Sequence, residues 1–147
     1  MTPTLFRKKE TAETKEKHAP PSPEKKTLLQ ELCKGNKELH DTLNRTLLLD
    51  PETTRKEGID FYEKQAEEYE ANQKFRNARI AYQVAGEIAL HEGKLQQVQK
   101  FFKKAAEAEP DYEFKRAFEY FNKKENAEKA IAVAKEYYTK TAKRTQA

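Results

Sequence analysis

Between Tyr82 and Pro110 the chain runs Tyr82-Gln83-Val84-Ala85-Gly86, then Ala89, Gly93, Leu95, Val98, Phe101-Phe102, Ala105 and Pro110. A large residue precedes a small pair, then a glycine marks a turn. A β-branched residue, an aromatic pair, an alanine and a proline follow. Small residues facing aromatics let two helices approach closely, as packing of ridges into grooves requires. Gly93 falls where a left-handed helix end is cheapest. The order predicts an antiparallel helical hairpin closed by Pro110. Stacked hairpins carry no reaction chemistry of their own, so the sequence points towards a binding surface.

The flanking sequence extends this pattern. A helix is expected from about Thr54 to Ala71, with Ile59, Tyr62, Ala66 and Tyr69 on one face, and Asn72-Gln73-Lys74 turns the chain. The next runs from Phe75 to about Glu92 and buries Ala78, Ala81, Tyr82, Ala85, Gly86 and Ala89. A third spans Leu95 to Glu107. A fourth spans Tyr112 to Lys124, with Phe114, Ala117, Phe118 and Phe121 inside. The last runs from Ala127 to about Ala142 and buries Ala130, Ile131, Ala134, Tyr137 and Tyr138. Upstream, Leu28, Leu29, Leu32, Leu39, Leu43, Leu47 and Leu48 recur at helical spacing. They predict one amphipathic helix over about 28–48. Gly35 and Asn36 weaken its middle by about 1 kcal/mol, and Asp50-Pro51 stops it. Residues 1–26 alternate Lys and Glu with Thr, then reach Ala19-Pro20-Pro21-Ser22-Pro23, and offer almost nothing to bury. They read as a disordered tail, in which the lone Ser22-Pro23 is a weak signal for phosphorylation. The organisation expected is a tail over 1–26, a leucine-rich helix over 27–50, and a helical domain over 54–143.

Composition bounds the function class. Charged residues make up 37% and hydrophobics 36%, which suits an exposed, helix-rich chain with a thin core. Cys33 is the single cysteine, so neither an internal disulfide nor a multi-cysteine metal site can form. A reducing compartment follows. The first residues lack an apolar signal core, and no apolar run approaches the roughly 20 residues of a membrane helix. A cytoplasmic protein without membrane attachment is expected. Residues 1–26 carry seven Lys/Arg against four Glu, residues 27–110 carry 13 basic against 15 acidic, and residues 111–147 carry nine against six. The ends are basic and the middle slightly acidic, far from a dedicated nucleic-acid surface.

The 79–111 segment resembles a tetratricopeptide repeat, a family of paired antiparallel helices. A second unit over 113–137 keeps the logic with Phe114, Ala117, Phe121, Ala127, Ala130, Ala134 and Tyr137. It places Phe118 where the family has a small residue, and Glu125-Asn126 where it has a glycine turn. A third partial unit begins near Asp60 and shares the 75–92 helix, as in the looser helical-hairpin arrays of vesicle-trafficking adaptors, which this region also resembles. The resemblance implies an all-α fold: hairpins stacked as a short solenoid, preceded by an amphipathic helix and the tail. In such arrays the first helix of each pair lines a concave groove for peptides. The groove positions implied are Gln83, Glu87, Leu90 and His91 in one pair, and Lys115, Glu119, Asn122 and Lys123 in the next. Members that clamp a peptide's carboxylate use Lys and Asn in the first pair. Glu87 and His91 stand there instead, so that activity is not implied. Asn122 with Lys115 and Lys123 would suit one acidic contact.

No arrangement for catalysis emerges. His18, His40 and His91 form no pair at i, i+4 spacing. Glu67, Glu68 and Glu70 read as a solvated face rather than an acid–base pair. Gly-rich phosphate loops and nucleophile motifs are lacking, and Cys33 reads as an apolar filler. No cofactor and no metal are expected. The function expected is a non-enzymatic scaffold or adaptor that binds a protein partner through a repeat groove or the leucine helix. That helix caps the repeats, recruits a partner, or forms a homodimer through residues 28–48. The alternative is an accessory protein of a ribonucleoprotein or ribosomal assembly. It would attach through basic termini: Arg7, Lys8, Lys9, Lys25 and Lys26, with Lys135, Lys140, Lys143 and Arg144.

Overall fold

A computed structural model describes residues 27–47 and 56–146, with side chains placed as far as Thr141. The expected tail over 1–26 with its basic residues and Ser22-Pro23, the Asp50-Pro51 stop, and the side chains of Lys143 and Arg144 lie outside the described residues. The described residues are all-helical. In chain order α1 is Leu28–Cys33, α2 Lys37–Thr46, α3 Ile59–Ala71, α4 Phe75–Glu92, α5 Leu95–Ala108, α6 Lys115–Glu119 and α7 Lys124–Gln146. A 3-10 turn, Tyr120–Asn122, joins α6 to α7.

Helix α4 is the centre. It packs against α3 and α5, its neighbours in the chain, and also against α7. Eleven of its 18 residues are buried, which its small side chains Ala78, Ala81, Ala85 and Ala89 permit. The closest approach is at Gly86. A β-carbon there would lie 2.7, 2.8 and 3.0 Å from three ring atoms of Phe102 on α5. That ring has no exposed surface and is stacked on Phe121 at 4.3 Å and Phe118 at 5.8 Å. Gly86 thus admits the aromatic core of α5, α6 and the 3-10 turn against the backbone of α4. On the other side the Tyr82 hydroxyl donates to Glu70 of α3 at 2.7 Å, and burial with that bond raises its pKa. Lys100 of α5 reaches Glu63 of α3 at 3.0 Å.

Both hairpin turns use left-handed residues to satisfy terminal carbonyls. Helix α4 closes on Gly93, φ 75°, with the Lys94 amide donating to the Ala89 carbonyl at 3.0 Å. Helix α3 closes through Gln73, φ 59°, with the Lys74 amide donating to the Tyr69 carbonyl at 2.8 Å. A glutamine bears the strain there that a glycine would avoid.

Three sequence expectations need correction. The single helix over 28–48 is two helices. Lys34 and Gly35 turn left-handed at φ 48° and 82°, and the Asn36 side chain accepts from the Leu39 amide at 3.1 Å to start α2. Gly35 and Asn36 therefore break the helix rather than weaken it. The helix expected over Tyr112–Lys124 shrinks to α6 and the 3-10 turn. Gln99 of α5 donates to the Phe121 and Asn122 carbonyls at 3.0 and 3.2 Å, and Asn126 donates to the Tyr120 carbonyl at 3.1 Å. Those carbonyls are thereby engaged by side chains. Finally, α7 starts at Lys124 instead of Ala127 and runs on to Gln146. Of the side chains expected inside, Phe118, Phe121, Ala130 and Ala134 are buried, whereas Phe114, Ala117, Ile131, Tyr137 and Tyr138 are half-buried.

Gly86→Ala should destabilise the fold by up to about 2 kcal/mol: overpacking against an immobile ring costs about 1–3 kcal/mol, and better helix propensity returns about 1 kcal/mol. In a Phe102→Leu background the same change should cost less, a coupling that a double-mutant cycle by urea unfolding reads directly. Gln73→Gly should instead raise stability, by up to about 1 kcal/mol, in the same assay.

Candidate functional site

The first expected groove set is not at the surface. Arg79, Gln83, Glu87 and His91 recur every fourth residue, so they form one face of α4. That face is covered. Gln83 is 4% exposed, Glu87 1% and Leu90 0%, and the His91 side chain is 4% exposed. Arg79 and Gln83 are held by hydrogen bonds, whereas among the described residues neither ring nitrogen of His91 has a hydrogen-bond partner. Arg79 Nε donates to Glu109 Oε1 at 2.8 Å and Nη1 donates to Gln83 Oε1 at 3.2 Å, while the guanidinium lies over the Tyr112 ring at 3.7 Å. Gln83 Nε2 donates to the Arg45 carbonyl at 3.2 Å, near the end of α2. His91 is stacked on Tyr138 of α7 at 4.1 Å, with Nε2 at 3.6 Å from Glu87 Oε2. The four groove positions Gln83, Glu87, Leu90 and His91 are therefore interior joints, beyond the reach of a peptide on this arrangement.

Sequence reasoning passed over the centre of that column, the Arg79–Glu109 pair. Hydrogen bonding from Arg79, joined by Arg76 at 3.4 Å, holds the Glu109 carboxyl below the usual glutamate range. The signal was present: Arg79 stands four residues before Gln83, on the same face.

The second expected set fares differently. Lys115, Glu119 and Asn122 line one cleft of about 360 Å³ between α5 and the α6 segment, joined there by Lys103 and Glu107 over a floor of Ala106 and Pro110. Lys123 is exposed but does not line it. Lys115 and Glu119 are one helical turn apart, Nζ to Oε2 3.8 Å, too long for a hydrogen bond. The Gln99 bonds to the Phe121 and Asn122 carbonyls fix the wall that carries Asn122. Lys103 was missed because its place opposite Lys115 depends on how α5 meets α6, not on spacing along either helix.

On the other side of α6 lies a second cleft, of about 480 Å³, between α2 and α6. The Arg45 guanidinium covers the Phe114 ring at its edge, 3.6 Å from the centroid. Asp41, also on its rim, has its pKa lowered by hydrogen bonds from His40 and Lys37. The short α6 thus stands as a wall between two clefts. Burial raises the pKa of the Cys33 thiol, which disfavours the nucleophilic thiolate. No helix among the described residues is long and apolar enough to cross a membrane. No family model, curated protein or solved structure matches the chain.

Removing the Glu109 charge should leave the buried Arg79 guanidinium without its opposite charge. Glu109→Gln should then cost about 1–3 kcal/mol at neutral pH. The carboxyl has a lowered folded-state pKa, so its stabilisation is full above the ordinary glutamate value near 4.5 and is lost as pH falls through the lowered one. Urea unfolding from pH 7 down to pH 3 should show the wild-type and Glu109→Gln stabilities converging at the acid end.

Proposed function

We propose that the chain is a non-enzymatic protein-interaction module, an adaptor built from tetratricopeptide-like helical hairpins, that takes an acidic partner segment in the α5–α6 cleft. The hairpin architecture is supported by the contact of Gly86 on one helix with Phe102 on the next, small against aromatic as the repeat logic requires. The observation that carries the binding role is that Lys103, Lys115 and Asn122 line one cleft with Ala106 and Pro110, Glu107 and Glu119 sharing the lining beside them. Two ammonium groups and an amide in one cleft suit a single carboxylate side chain, and the alanine and proline give its backbone an apolar seat.

The homodimer through residues 28–48 is less favoured, because Leu29, Leu39 and Leu43 are buried within the chain at 7%, 4% and 0% exposure. Attachment to a ribonucleoprotein has less support still. Along α7 the exposed Lys124, Lys129, Lys135 and Lys140 alternate with Glu125, Glu128 and Glu136, which dilutes any field that phosphates would feel.

Affinity capture from native lysate, with equal amounts of wild type, Lys103→Glu/Lys115→Glu and a Lys64→Glu control on α3, tests this directly. Proteins retained by wild type and the control should fall at least about tenfold with the double reversal. Retention that ignores the reversal, or that collapses on nuclease treatment, would remove the proposal.

A further inference from the structure

Among the described residues the pair α1–α2 is held to the rest of the molecule chiefly by apolar burial. Its apolar stripe, Leu29, Cys33, Leu39 and Leu43, is buried; α1 packs on α7, and α2 packs on α6 and α7. Among the described residues one hydrogen bond crosses the seam, Gln83 Nε2 to the Arg45 carbonyl, beside the stacking of Arg45 on Phe114. The ion pairs of α2, Lys37–Asp41 and His40–Asp41, stay within the helix. By contrast α3, α4 and α5 are clasped to one another by directional contacts: Arg79–Glu109, Lys100–Glu63 and Tyr82–Glu70. At six and ten residues neither α1 nor α2 is long enough to persist alone. The seam is bordered by the 480 Å³ cleft. Apolar burial is non-directional, so a seam made of it accepts any helix that presents the same stripe.

We infer that α6, the 3-10 turn and α7 form a helix-accepting groove, that α1–α2 is its resident intramolecular occupant, and that a partner helix with leucines at i and i+4, as at Leu39 and Leu43, binds by displacing it. This rests on the reading of the chain as an interaction module but uses a surface separate from the α5–α6 cleft. The Tyr120 hydroxyl marks the floor: burial raises its pKa first, with smaller contributions from Glu38 of α2 and Cys33 of α1 above it.

Cys33, the single cysteine and 4% exposed, reports the event. A thiol-reactive aromatic disulfide is applied to the full chain, with and without a synthetic peptide of residues 27–47 carrying Cys33→Ser. The peptide should accelerate labelling saturably, and a peptide bearing Leu39→Asp and Leu43→Asp should not. Leu43→Ala in the chain removes a fully buried side chain and should speed labelling at least ~30-fold with far-ultraviolet circular dichroism unchanged. If that variant fails to fold, the wild-type chain decides: labelling should depend on urea far less steeply than global unfolding does. Labelling that tracks global unfolding, or local opening that the peptide does not enhance, overturns the inference. Either result leaves the charge-reversal test of the α5–α6 cleft standing, so the two readings fail separately.

Discussion

The ring of Phe102 lies against the backbone of α4 at Gly86, in space that a β-carbon would occupy. Much of the described structure follows from that contact. With the ring there, α5 comes close to α4, and Phe118 and Phe121 stack behind it. The α6 segment and the start of α7 are drawn in by those two rings. Once α3, α5 and α7 all pack on α4, its polar residues must be matched inside the protein, because burying an unpaired polar group costs more than the pair contributes. Arg79, Gln83 and Glu109 are the result of that requirement.

What was legible in the sequence was what is decided locally. The α4–α5 hairpin, its glycine turn and the inward face of Ala78, Ala81, Tyr82, Ala85 and Ala89 all follow from helical spacing and from the freedom of Gly93. The break at Lys34-Gly35-Asn36 was half legible: glycine and asparagine were visible there, but whether they dent or divide a helix depends on the cap that Asn36 supplies. The shortening of α6 was not legible, because Gln99, more than twenty residues upstream, donates to carbonyls of the 3-10 turn. The groove face of α4 was misjudged for a related reason. An i+4 series of polar residues declares a face, but whether that face meets solvent depends on α7 and the end of α2, which spacing within α4 does not encode.

The site divides along the same line. Lys115, Glu119 and Asn122 fall together because α6 and its turn are contiguous. Their companion Lys103 arrives from α5 through tertiary packing. The wall they share with the α2–α6 cleft is a helix of five residues, whose position is set by aromatic stacking on one side and the Gln99 bonds on the other. Both clefts therefore depend on the same core that Gly86 admits.

The polar column of α4 has one more effect. Turning that helix by a single position swings each side chain about 100° around its axis. The Arg79 guanidinium would then lose Glu109, and the Gln83 amide would lose the Arg45 carbonyl, each stranded among hydrocarbon. The alanines of the apolar face discriminate such slippage poorly, since alanine resembles alanine wherever it lands. On that side Gly86, beneath the Phe102 ring, adds to the register. The column works less as glue than as a key with unevenly cut teeth, which fits its lock in one orientation of the central helix and jams in the others.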